Sequence, residues 1–87
     1  DVQPPEPFED WLSHPFEPKI REGKIYARGA GDNKGQLMAQ VLAVKTLLEV
    51  NGELPVNVKM VFDGEEESLS GSFAPFVEKH KELLKAD

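Results

Sequence analysis

The stretch Val56-Asn57-Val58-Lys59-Met60-Val61-Phe62-Asp63-Gly64-Glu65-Glu66-Glu67 decides how this chain is read. Val56, Val58, Met60 and Phe62 alternate with Asn57, Lys59, Val61 and Asp63, a period of two that predicts a β-strand over 56–62. Asp63-Gly64 ends that run and delivers three glutamates at the carboxyl end of the strand, where open α/β sheets bind their ligands. Like charges crowded at one edge repel unless something positive sits among them. The simplest such partner is a metal ion.

Upstream, Arg28-Gly29-Ala30-Gly31-Asp32-Asn33-Lys34-Gly35 is a glycine-dense loop with Asp32 at its centre. It opens a predicted helix over 35–50, in which Leu37, Val41, Val44 and Leu48 recur at helical spacing and Met38, Leu42 and Leu47 widen the apolar face. Asn51-Gly52 is the expected stop, glycine accepting the left-handed conformation after the last turn. Before the loop, Ile20 and Ile25-Tyr26 flank a Glu22-Gly23 turn and predict a hairpin over 19–27. Residues 1–18 form a proline-rich loop (Pro4, Pro5, Pro7, Pro15, Pro18), with Trp11 and Phe16 expected to pin it to the body. After the glutamates comes a serine- and glycine-rich turn to Ser72. A second helix is then predicted over 73–85, with Phe73, Phe76, Val77, His80, Leu83 and Leu84 on one side and Pro75 in its first turn.

Hairpin, helix, strand, helix is an α/β layered order. Two apolar-faced helices need more sheet than a hairpin and one strand supply. The chain, which starts at Asp1 on the proline-rich exit of a strand, therefore reads as an internal piece of a larger domain. Its 87 residues bury only a modest core. No cysteine is present, which excludes disulfides and thiolate–zinc sites. Ten basic against 16 acidic residues give a net charge of −6, unsuited to a nucleic-acid surface. No apolar run approaches membrane-spanning length and no charged-then-apolar leader is present, so the expectation is a cytoplasmic protein without membrane partners.

Adjacent glutamates can divide the labour of metal-assisted hydrolysis, one coordinating the metal and its neighbour accepting the proton of water. Two other readings compete with this one. The triplet can be a solvated acidic turn, and the glycine loop can be a loosened dinucleotide-binding turn. Against the second, the spacing is off the fingerprint, and Asp32 puts a negative charge where a pyrophosphate should sit. His14 reads as a surface residue, His80 as a packing histidine and Trp11 as a loop anchor.

Asp1-Val2-Gln3-Pro4, then Ile25-Tyr26-Ala27-Arg28-Gly29-Ala30-Gly31-Asp32-Asn33-Lys34-Gly35-Gln36, then Gly64-Glu65-Glu66-Glu67-Ser68 occur in this order. Together they resemble the dinuclear-zinc peptidase superfamily of carnosinase, glutamate carboxypeptidase, acetylornithine deacetylase and succinyl-diaminopimelate desuccinylase. Trp11 and Pro15-Phe16-Glu17-Pro18 look like its carnosinase-type dipeptidase branch. The resemblance extends to about Phe76.

It implies part of an α/β/α sandwich of the phosphorylase/hydrolase-like kind, with a mixed sheet that is incomplete in this chain. It also implies two Zn²⁺ per site, with Co²⁺ or Mn²⁺ as substitutes, and a parent enzyme that cleaves the amide of dipeptides or N-acyl amino acids and assembles as a homodimer. By the same resemblance Asp32 is a metal ligand bridging both zincs, followed by a cis peptide to Asn33. Glu66 is the catalytic base and Glu67 a terminal metal ligand. Asp1 is the catalytic-site aspartate that braces a zinc-ligating histidine two residues before it. Glu65 falls on a variable, solvated position. The pattern departs from the family at Leu69, where glycine is usual before Ser70. The other ligands of the family lie outside these 87 residues, so the isolated chain is expected to be inactive. The alternative from a different class is a non-catalytic fragment or metal-lost relative acting as a scaffold.

Overall fold

The computed structural model describes residues 1–86. Its contacts divide the chain into two units, Val2–Thr46 and Asp1 with the residues from Leu47 onward.

In the first unit, β1 (Lys19–Arg21) and β2 (Lys24–Tyr26) pair antiparallel, with Ile20 opposite Ile25. The turn between them places Glu22 at φ 51° and Gly23 at φ 74°, the two left-handed residues that match the twist of a two-residue hairpin. The Arg21 guanidinium lies 4.3 Å from the centre of the Tyr26 ring and donates to Ser13 Oγ at 3.0 Å. The proline-rich segment is tied down by polar bonds. Trp11 Nε1 donates to the Pro5 carbonyl at 2.7 Å, and Arg28 donates from its backbone N–H to Pro15 (2.8 Å) and from Nη2 to Pro4 (3.3 Å). Its guanidinium carbon also sits 5.1 Å from the Trp11 ring centre. Trp11 is therefore an anchor, but Phe16 is not. Phe16 is 54% exposed, and Pro15 is the fully buried side chain beside it.

Arg28 leads into Gly29, at φ 77°, and a kinked turn over Ala30–Lys34. Asp32 and Asn33 have non-helical dihedrals there, and the peptide between them is cis, as is Glu6–Pro7. A methyl group at Gly29 would come within 2.7 Å of Val2 Cγ1 and 2.8 Å of Lys34 Nζ, so both the backbone sign and the close packing call for glycine.

Helix α1 (Gly35–Asn51) follows, and Gly52, at φ 78°, closes it by donating to the Leu48 carbonyl at 2.9 Å. Its apolar residues are not confined to one stripe. Leu37, Val41 and Val44 are half-buried, whereas Met38, Leu42, Leu47 and Leu48 are exposed. A helix apolar around most of its girth is one that proteins cover on several sides.

In the second unit the strand expected over 56–62 does not form. Among the described residues the only ladder is β1–β2, and 56–62 belongs to no element. Alternation decides which side chains share a face, but a strand also needs a neighbouring backbone to receive its N–H and C=O groups. Phe62 accordingly stays 60% exposed, above an apolar groove of about 770 Å³ shared with Phe73, Phe76 and Leu84. The helix expected over 73–85 is interrupted. Helix α2 (Phe73–Lys79) and α3 (Lys81–Leu84) are separated by His80 at φ −116°, ψ 24°, whose N–H is shared between the carbonyls of Phe76 (3.1 Å) and Val77 (3.2 Å). The His80 ring packs on Phe76 at 4.7 Å, the packing role the sequence suggests for it.

Between 56–62 and α2, Glu66–Ser68 forms one 3-10 turn that ends at Leu69 with φ 70°, followed by Ser70 at φ 51°. The left-handed conformation at Leu69 is the physical content of the glycine usual at this position, since a side chain there meets its own backbone. Leu69 is 93% exposed, so its side chain contributes no packing in return. Leu69→Gly is therefore expected to stabilise the full-length protein by roughly 0.5–1 kcal/mol, the relieved backbone cost exceeding the added chain entropy. Thermal or urea unfolding of the pair checks this, and a lower midpoint for the glycine variant contradicts it.

Candidate functional site

Asp1, Glu66 and Glu67 come together. The terminal amino group of Asp1 donates to the Gly64 carbonyl at 2.7 Å, and Asp1 lies alongside the loop. Its carboxylate then accepts two bonds from that loop, from the Glu67 N–H to Oδ1 (3.2 Å) and from the Ser68 hydroxyl to Oδ2 (2.7 Å). Glu67 is half-buried and Glu66 exposed. Among the described residues no hydrogen bond or ion pair reaches the Glu66 carboxylate.

The remaining acids of the loop are held by serines. Asp63 Oδ1 accepts from the Glu65 N–H at 2.8 Å, and its Oδ2 accepts the Ser70 hydroxyl. Glu65 Oε2 accepts the Ser72 hydroxyl and, at 3.1 Å, the Ser72 N–H. Hydrogen bonds donated to the ionised form favour it. The Ser70 hydroxyl, with the Glu65 N–H, holds Asp63 below its ordinary pKa. The Ser72 hydroxyl, with its N–H, does the same for Glu65. Glu65, expected to be an incidental solvated residue, is thus a fastening point of the loop, because Ser72 supplies both donors. The sequence signal for this is the alternation Ser68-x-Ser70-x-Ser72, short hydroxyl side chains interleaved with an acidic run.

Asp32 stands in the other unit, in the turn behind Gly29, where the Lys34 N–H donates to the Gly29 carbonyl at 3.0 Å. Among the described residues no three His, Cys, Asp or Glu side chains gather closely enough to hold a metal ion. Asp32 and Glu67 offer hard oxygen donors, but zinc sites use three or four protein ligands. His14 lies on the surface, its Nδ1 accepting from the Phe16 N–H at 3.3 Å, and is no part of these groupings.

The family model of peptidase family M20/M25/M40 matches residues 1–87, the whole chain. The chain belongs to this family. Its relatives include the Beta-Ala-His dipeptidases of Rattus norvegicus and Homo sapiens, each 40% identical over 82 residues, which is 94% of this chain and 17% and 16% of those proteins. The succinyl-diaminopimelate desuccinylase of Methylococcus capsulatus is 40% identical over 86 residues, 99% of this chain and 22% of that protein. The chain thus spans about a fifth or less of the length of the curated relatives it matches. No solved structure gives a significant match. No helix among the described residues is long and apolar enough to cross a membrane.

The serine clasps carry a pH consequence. A carboxylate with a lowered folded pKa stabilises above its unfolded value, and that contribution is lost as pH falls through the lowered one. Ser70→Ala is expected to raise the titration midpoint of Asp63 toward the ordinary value, and Ser72→Ala that of Glu65. Side-chain carboxyl NMR across the acid range reads both midpoints. Unchanged midpoints would show the clasps to be absent in solution.

Proposed function

We propose that this chain is the part of an M20-family hydrolase that carries the proton-transferring glutamate of the active site. The parent protein cleaves the amide bond of a dipeptide or an N-acyl amino acid. Support for the substrate class comes from the relatives, which are named for a dipeptidase and a desuccinylase activity. The observation that carries the reading is the contrast within the acidic loop. Asp63, Glu65 and Asp1 each accept a hydroxyl and a backbone N–H on their carboxylates, whereas the Glu66 carboxylate is exposed and accepts neither. A general base needs that combination, a fixed backbone and a carboxylate with open lone pairs.

In this mechanism Glu66 accepts a proton from the attacking water. The hydroxide adds to the amide carbonyl, the C–N bond breaks, and Glu66 returns the proton to the departing amine. Asp32 and Glu67 would be two of the donors to a pair of zinc ions, with the other ligands supplied by the rest of the longer protein. Such ions would supply a lowered pKa for the attacking water, which Glu66 could then deprotonate. Asp1 holds its place beside Glu67 as a bracing carboxylate. The parent fold is an α/β/α sandwich in which 56–62 gains its strand neighbours, and the parent is a homodimer.

In the full-length protein, Glu66→Gln is expected to lower kcat by at least about 100-fold, the usual scale of a lost general base, with zinc content unchanged. Steady-state hydrolysis of a dipeptide and of an N-succinyl amino acid, with metal analysis of the same samples, checks this. Normal turnover in the variant removes Glu66 from the role.

A further inference from the structure

Ser68 has no role in the reading above, yet it makes the shortest bond to the Asp1 carboxylate. We infer that Ser68 is a positioning residue that sets the rotation of the Asp1 carboxylate and locks it to the Glu66-Glu67 turn. The inference rests on the proposed function and deepens it.

A carboxylate has two oxygens and about four lone-pair sites. With one bond it can still swing about its Cβ–Cγ axis, and with one bond on each oxygen the plane is fixed. Glu67 N–H on Oδ1 and Ser68 Oγ on Oδ2 supply that pair, from consecutive residues of one 3-10 turn. One lone-pair site remains open on each oxygen, so Asp1 can accept a further donor in a defined direction. The same bond acts on the loop. It holds the Glu67 peptide against Asp1, and the Glu66 side chain leaves the chain one residue earlier. Ser70 and Ser72 clasp Asp63 and Glu65 instead and do not touch Asp1. They are internal controls, since losing either weakens the loop without freeing Asp1.

The test uses the full-length protein with Ser68→Ala, Ser68→Thr, Ser72→Ala and Glu66→Gln, read by steady-state kinetics and by hydrogen exchange of the segment containing the Glu67 amide. Ser68→Ala is expected to lower kcat about tenfold with KM within about twofold, the scale for loss of a supporting hydrogen bond behind a site residue. It should also speed exchange at Glu67. Ser68→Thr, which keeps the hydroxyl, should restore both, and Ser72→Ala should leave exchange at Glu67 unchanged. Wild-type kcat or unchanged exchange in Ser68→Ala overturns the inference, as does a threonine variant no better than alanine. If Glu66→Gln is inactive while Ser68→Ala is fully active, the inference fails alone. If Glu66→Gln turns over normally, the site reading fails and takes the inference with it.

Discussion

Hydroxyl-to-carboxylate bonding is the interaction on which the acidic loop depends. Asp63, Glu65, Glu66 and Glu67 fall within five residues, and Asp1 lies against them. Such a grouping is self-repelling. Much of the relief comes from donors that carry no charge of their own. Ser68, Ser70 and Ser72 each give a hydroxyl to a different acid, and backbone N–H groups of Glu65, Glu67 and Ser72 add to them. Neutral donors lower the cost of ionisation without quenching the local negative field. Hydroxyl and backbone donors leave the charge of the acids they hold in place.

The glycine-rich turn around Asp32 is built on a different constraint, close backbone approach. Gly29 has a left-handed backbone and Val2 and Lys34 packed where its side chain would be. Arg28, one residue earlier, fastens that turn to the proline-rich segment through Pro4, Pro15 and the Trp11 ring. Asp32 is thus carried on a backbone whose path is set by sterics, whereas Glu66 is carried on one set by hydrogen bonds.

Much of this was legible in the chain itself, and for identifiable reasons. Glu22-Gly23 and Asn51-Gly52 mark turn and helix end because few residues accept positive φ. The α1 segment is visible because leucine and valine recur at helical spacing from Leu37 to Leu48, about three turns. The clasping of Glu65 was not legible. Serine bonds to whatever acceptor the loop brings near, and its hydropathy carries no hint of which. Nor was the break at His80 visible, because the apolar spacing from Phe73 to Leu84 runs through it without interruption.

By itself, the sequence determined the elements that depend on neighbours a few residues away: the hairpin turn, the Gly29 turn, α1 and its cap. It also determined membership of the M20 family, through three motifs whose order and spacing survive in the chain. The tertiary structure decided which acids are fastened and which one is left open, because a carboxylate's partners come from residues up to 67 positions distant. Among the described residues no strand forms at 56–62, for the same reason. Alternation is a local property of a chain, whereas a ladder is a bond between two backbones, and among the described residues the second backbone is not there.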